Sequence, residues 1–296
     1  MRLMRNRGYF AAFIVSLAAS FGVQACSSSP QGTAPSSDGL TGKLILTGSS
    51  TVAPLVGEIA KRFEAEHPSV RIDVQTGGSS RGLADAKQRL ADIGMISRAL
   101  KPEETDDFQG FVIAQDGIGV IINKANSVGA ISDRQLVDIY TNQIQNWREV
   151  GGEDAPITVV NKAEGRSTLE LFLSYFQLQN SQIQADVIIG DNQQGIKTVA
   201  GNANAIGYVS IGAAEYDIGQ GAPIHLLPVG GVEATVETVQ DGSFPLARPL
   251  TLVTANPPSG LTQEFIQFAQ SEDVHDIIKA QNFVPVQRKE LAQTLR

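Results

Sequence analysis

Leu44-Ile45-Leu46-Thr47-Gly48-Ser49-Ser50-Thr51-Val52-Ala53-Pro54-Leu55 decides the fold. Residues 43–47 read as a short strand, and one glycine with three hydroxyl residues makes the turn. Leu55, Ile59 and Phe63 then recur at every fourth position, one stripe of an amphipathic helix that stops before Pro68. Val70, Ile72 and Val74 alternate as the next strand. Strand, turn, helix and strand in this order predict α/β layers with largely parallel sheets.

The alternation continues outward. A helix is expected at 83–90, a strand at 93–96, and strands at 111–114 and 117–123 joined by an Asp116-Gly117 turn. Ser132 begins a further helix, followed by a strand at 157–160 and a helix at 168–176. Strands at 205–209, 225–229 and 250–254 precede closing helices at 261–269 and 274–280. No fixed-period repeat is present.

Three strand-to-helix turns share one composition: Gly48-Ser49-Ser50-Thr51, Gly77-Gly78-Ser79-Ser80 and Gly165-Arg166-Ser167-Thr168. Each offers glycine for close backbone approach, hydroxyl donors and the free N–H groups of a helix N-terminus. Ser and Thr are also ordinary helix caps, so any one turn alone says little. A single helix end attracts an anion by only about 0.3–1 kcal/mol, whereas micromolar binding needs about 8 kcal/mol. Several such ends must therefore converge with charged hydrogen bonds, which implies a cleft assembled from distant segments.

The chain has 296 residues, 42% of them apolar and 18% charged, and a formal net charge of −8. These values fit a globular chain of about two domains and exclude a collagen-like or disordered one. The acidic balance excludes nucleic acid as a partner, because no basic excess exists to neutralise a phosphate backbone. Arg2, Arg5 and Arg7 precede an apolar run at 9–23, too short to span a bilayer comfortably and suited to a signal-peptide core. The run ends in Val23-Gln24-Ala25-Cys26, similar to a lipobox, and Cys26 is the sole cysteine. Residues 1–25 are expected to be a lipoprotein signal peptide, Cys26 the lipidated residue, and the Ser/Pro/Gly-rich 26–42 a flexible tether. A single cysteine and the isolated His67, His225 and His275 give no metal-ligand pattern, and no cofactor motif occurs.

Gly78-Ser79-Ser80-Arg81-Gly82 also satisfies the G-x-S-x-G pattern of a hydrolase elbow, with Ser80 as nucleophile. Only His225 and His275 follow it as triad candidates. His225 reads as a packed strand residue and His275 as a solvated helix residue, so a secreted serine hydrolase is the weaker alternative.

The chain resembles the phosphate-binding proteins of ABC transporters, a branch of the periplasmic-binding-protein superfamily. Beside the turns already quoted, the resemblance rests on Asp92-Ile93-Gly94, Ile144-Gln145-Asn146-Trp147-Arg148-Glu149-Val150-Gly151-Gly152 and Ala205-Ile206-Gly207-Tyr208-Val209. Pro245-Leu246-Ala247-Arg248-Pro249-Leu250 and Phe283-Val284-Pro285-Val286 complete it in order. It implies a two-lobed α/β fold of the class II type, each lobe a mixed, largely parallel sheet flanked by helices, with the ligand between the lobes. Lobe one is expected at 43–115 plus 248–296 and lobe two at 116–247. The implied function is capture of inorganic phosphate for an ABC permease, by an exported, lipid-anchored monomer facing the periplasm or the cell surface, with no catalysis and no cofactor.

The implied ligand-binding set is Ser50, Thr51, Val52, Ser79, Ser97, Lys162, Arg166, Ser167 and Thr168. The set departs from the family pattern in two places, the third turn and Ser97. In the third turn the family's arginine is Lys162, while Arg166 stands where the family has serine and Ser167 where it has glycine. Arg166 is expected to serve as the bidentate partner, since a guanidinium matches phosphate geometry better than an ammonium. Ser97, followed by Arg98, replaces an aspartate that in many members accepts the phosphate proton. Without that repulsive carboxylate, sulfate, molybdate or tungstate are the alternative ligands.

Overall fold

The computed structural model describes residues 39–286. The expected signal peptide, Cys26 and the tether as far as residue 38 lie outside them. Chain order begins with β1 (Gly42–Gly48), α1 (Val52–Glu66), β2 (Val70–Thr76), α2 (Ser79–Lys87) and β3 (Ile93–Ile96). The long β4 (Gln109–Asn123) leads to α3 (Asp133–Tyr140), β5 (Thr158–Lys162), α4 (Ser167–Tyr175) and β6 (Val187–Ile189). Next come α5 (Asn192–Ala200), β7 (Ala205–Ser210), α6 (Ile211–Gly219), β8 (Ile224–Leu227) and α7 (Val236–Gln240). The return strand β9 (Ala247–Thr254), α8 (Gly260–Ala269), α9 (His275–Ala280) and β10 (Val284–Pro285) close the described chain.

The strands run in the order β2-β1-β3-β9-β4-β7-β5-β6, with β8 and β10 also paired to β4. Parallel pairing is confined to the flanks, β1 with β2 and β3 on one side and β5 with β6 and β7 on the other. Every pairing made by β4 or β9 is antiparallel. The fold is thus a mixed α/β sheet in two halves. Along β4, residues 109–117 pair with β9, and residues 118–123 pair with β7 and β8.

The expected break at Asp116-Gly117 is absent: β4 runs straight through it, with its irregularity between Val112 and Ala114. Gly117 serves packing here, because a Cβ would lie 2.5 Å from Ile211 Cδ1 and 2.9 Å from Val239 Cγ2. β6, α5 and α6 were not expected from the sequence. The three residues of β6 are too few to show a period.

Each half has its own core. In the first, the α1 stripe of Leu55, Ile59 and Phe63 packs on Leu46 and Met95 of the sheet and on Phe265 of α8. Phe63 meets Phe265 edge-on at 5.4 Å, and replacing it by alanine should cost about 3–5 kcal/mol. In the second, Trp147, Tyr140, Phe172 and Tyr208 form the aromatic centre. The Asn146-Trp147 motif is structural: Asn146 caps a 3₁₀ turn, and Trp147 Nε1 donates to the Asn204 carbonyl at 2.9 Å. No helix among the described residues is long and apolar enough to cross a membrane.

Candidate anion-binding site

The first turn leaves β1 through Gly48, whose φ of 136° and contact with the Met95 backbone admit no side chain. Ser49 Oγ accepts from the Thr51 amide at 3.2 Å and the Val52 amide at 3.4 Å, which starts α1. Thr51, freed from capping, is buried with its hydroxyl turned to other partners. Its Oγ1 accepts from Asn192 Nδ2 at 2.9 Å and from Arg248 Nη2 at 3.3 Å. Ser50 instead lines a neighbouring cavity of about 270 Å³, together with Thr51, Pro54, Asn192, Tyr216 and Phe283.

The second turn is tied to the first, since the amides of Gly77 and Gly78 both donate to the Gly48 carbonyl at 2.9 Å. Gly78, at a φ of 96°, then opens α2, which no side chain caps. Ser79 is buried, and its Oγ accepts from the Ser97 amide at 3.3 Å. Ser97 in turn accepts through its Oγ from Arg248 Nη1 at 3.3 Å.

The third turn comes from the second half. The Ser80 amide donates to the Gly165 carbonyl at 3.2 Å, so turns two and three touch. α4 likewise has no side-chain cap. Thr168 Oγ1 accepts from Arg248 Nη1 at 2.8 Å, while the buried Ser167 Oγ has no hydrogen-bond partner. Lys162, at the end of β5, is buried and donates through Nζ to Asn192 Oδ1 at 3.0 Å. Burial and the nearby Arg248 push its pKa down to about 7, against the opposing pull of Asp191. Arg166 is half-buried, lying beside Gly78 and Gly190, and donates to none of these hydroxyls.

At the centre is Arg248, which sequence reasoning had not named as a site residue. It reaches Thr51, Ser97 and Thr168, one residue from each of three separate segments. Asp116 Oδ2 holds it through Nε at 3.2 Å and Nη2 at 2.9 Å, and Asp116 Oδ1 accepts from the Gly212 amide at 3.2 Å. Burial draws the Arg248 pKa below its ordinary value, and Asp116 opposes that shift. Asn192 was missed too; it opens α5 and joins Lys162 to Thr51. The available signal was a single charge within each of two otherwise uncharged strands, Asp116 in β4 and Arg248 in β9.

The hydrogen-bond polarity of this set defines its chemistry. Thr51 Oγ1 already accepts two N–H groups, so its proton is free to be given outward. Ser79, Ser97 and Thr168 each accept one N–H and keep a proton to donate. With two buried cations and an unpartnered hydroxyl, the site is rich in donors and suited to an oxyanion. A hydrolytic arrangement finds no such support among the described residues. Ser80 is exposed, His225 meets the Val128 carbonyl at 3.3 Å, His275 opens α9, and no hydrogen bond links Ser80 to either histidine.

A family described as the PBP superfamily domain matches residues 31–273. The phosphate-binding protein PstS of Bacillus subtilis is 31% identical over 251 residues, covering 83% of this chain and 81% of the relative. An ABC transporter substrate-binding protein from Clostridium perfringens, solved with bound phosphate, superposes with a TM-score of 0.76 at 33% identity. That match covers 83% of this chain and 100% of the other. An ABC-type phosphate transport receptor from Vibrio cholerae gives a TM-score of 0.68 at 28% identity, covering 82% of this chain and 100% of its own. The chain belongs to the PBP superfamily, in the family of the PstS-type phosphate-binding proteins.

Proposed function

We propose that this chain is the receptor that captures inorganic phosphate and delivers it to an ABC permease. The observation that carries the reading is Arg248 gathering hydroxyls from three segments, beside the buried and unpartnered Ser167 Oγ. Micromolar capture needs about 8 kcal/mol, and hydrogen bonds to a charged group contribute roughly 1.5–3 kcal/mol each. Four or five such bonds suffice, and this site offers at least that many donors. The PstS name of the Bacillus relative and the phosphate in the Clostridium structure support the same ligand.

Capture works by closure of two lobes, 43–115 plus 248–296 against 116–247, with β4 and β9 as the crossing strands. The ligand is bound and released unchanged, so no catalytic group is required. Thr51, Ser79, Ser97, Ser167 and Thr168 donate to its oxygens, Arg248 and Lys162 balance its charge, and the amides at the start of α2 and α4 complete the shell. Arg166 shields the third turn. A second reading, another tetrahedral oxyanion such as sulfate or molybdate, draws on Ser97 standing where a proton-accepting carboxylate would discriminate. Calorimetric titration with phosphate, arsenate, sulfate and molybdate separates the two. Phosphate and arsenate binding at one site, with sulfate weaker by a hundredfold or more, supports the phosphate receptor, and sulfate or molybdate binding more tightly overturns it.

Export and anchoring follow from the N-terminal reading. Cys26 carries the lipid, and the Ser/Pro/Gly-rich stretch between it and the folded body, whose first strand begins at Gly42, tethers the receptor at the membrane surface. Mass spectrometry of the membrane fraction should find a modified Cys26 at the mature N-terminus. An unmodified Cys26, or a mature chain beginning elsewhere, refutes the anchor.

A further inference from the structure

Arg98 directly follows the site residue Ser97, and its side chain is 6% exposed. Glu104 clamps it from the same half, accepting from Nη1 at 2.7 Å and Nη2 at 2.8 Å, while Nη1 also donates to the Ala99 carbonyl at 2.9 Å. The Lys101 amide donates to the same Glu104 carboxylate at 2.8 Å. Burial works against the Arg98 charge, but Glu104 and Glu170 outweigh it and hold the group above its ordinary pKa. Arg98 and Lys101 thus stand together as two cations on the first half, with Glu104 holding the Arg98 guanidinium in place. Facing it across the cleft is Glu170, in the first turn of α4. Its Oε2 lies 3.2 Å from Arg98 Nε and 3.0 Å from Lys101 Nζ.

We propose that Glu170 is a positioning residue for anion capture, which docks α4 on the Arg98–Lys101 corner and so holds Ser167 and Thr168 in their binding places. This rests on the phosphate reading. Glu170 sits two residues beyond Thr168, on the same helical turn that carries the Ser167 hydroxyl, so the ion pairs and the binding donors move as one rigid piece.

Isolated surface ion pairs contribute little, chiefly because two long side chains must be ordered to make them. Here the guanidinium is already fixed by Glu104 and the Ala99 carbonyl, so little further order is required. Parting of the halves returns Glu170 to water and leaves Arg98 paired with Glu104, so no buried charge is stranded. The pairing therefore favours the closed form without hindering opening. Apparent affinity scales with the fraction of molecules in the binding-competent form, and a lost closing contact appears mainly in the release rate.

An acid in the first turn also interacts with its own helix N-terminus, so Glu170→Gln alone would mix two effects. Lys101→Gln leaves α4 untouched and removes one of the two partners. Phosphate titration and stopped-flow release are measured on the wild-type chain, both single variants and the double variant. Glu170→Gln should weaken phosphate about tenfold, mostly through faster release, and Lys101→Gln about threefold. The double variant should be no weaker than Glu170→Gln, and added salt should speed release from wild type more than from Glu170→Gln. Unchanged release from both single variants, or a double variant showing the full product of the single losses, overturns the proposal. If Glu170→Gln fails to fold, Lys101→Gln and the salt dependence of the wild-type chain decide. A wild-type chain that does not bind phosphate overturns the phosphate reading and this proposal together, whereas normal binding with unaffected variants overturns only the role of Glu170.

Discussion

Asp116 and Arg248 are direct partners across the antiparallel β4–β9 ladder, and their side chains meet at 2.9 Å with 1% exposure each. A charged pair this deep in a sheet is weak evidence for stability, because desolvation offsets most of the attraction. Its value lies in orientation: Asp116 fixes the guanidinium so that its remaining N–H groups reach Thr51, Ser97 and Thr168. Asp116→Asn leaves Arg248 buried without its counter-charge and should lower stability by about 3–5 kcal/mol. Phosphate should then raise the melting temperature of Asp116→Asn more than that of wild type, since the anion supplies the missing charge. Equal shifts measured by thermal unfolding would place the anion away from Arg248.

Arg248→Lys keeps one positive charge and loses the planar fork. An ammonium cannot serve Asp116 and three hydroxyls at once, so phosphate affinity should fall roughly 10- to 100-fold. Calorimetry showing the affinity intact would remove Arg248 from the binding account.

Ser167 and Thr51 separate a binding role from a structural one. Ser167 Oγ is buried without a partner, so Ser167→Ala relieves an unsatisfied group and should leave the ligand-free chain as stable as wild type or more so. Its phosphate affinity should still drop about tenfold or more. Thr51→Ala breaks the bonds to Asn192 and Arg248 and should lower stability and affinity together. A Ser167→Ala chain with unchanged affinity would contradict the assignment of that hydroxyl to the anion.

Lys162 ties the site to pH. In the ligand-free folded chain it releases its proton near pH 7, while the unfolded chain retains it to about 10.5. Between these values unfolding takes up a proton, so this group's contribution to stability rises with pH across that window and is least favourable below it. Lys162→Met removes the penalty. Without phosphate it should melt above wild type at about pH 6, and the gap should shrink towards about pH 10. A gap that stays constant over that range would mean that Lys162 is not held as a depressed cation.

Much of the fold was legible because local signals agreed with tertiary burial. The Leu55, Ile59 and Phe63 stripe of α1 is buried as its spacing implied, and the three Gly-hydroxyl turns do open α1, α2 and α4. The hub was not legible. Asp116 and Arg248 stand 132 residues apart, and only the β4–β9 register makes them neighbours. Asp116-Gly117 carries the composition of a turn, and it was the packing of Ile211 and Val239 against Gly117 that required the glycine. Asn192 escaped because its helix follows a three-residue strand with no period to read. Arg166 drew attention as the arginine within a turn, yet the arginine bonded to the hydroxyls lies inside a strand.

A crystal structure of the chain grown with phosphate tests the central claim most directly. The account predicts one phosphate within hydrogen-bond distance of the Ser167 and Thr168 hydroxyls, with Thr51 and Ser79 on its opposite side and the Arg248 guanidinium directly behind the hydroxyls it holds. A phosphate bound elsewhere, or contacting Arg166 while Ser167 remains apart from it, would contradict the account.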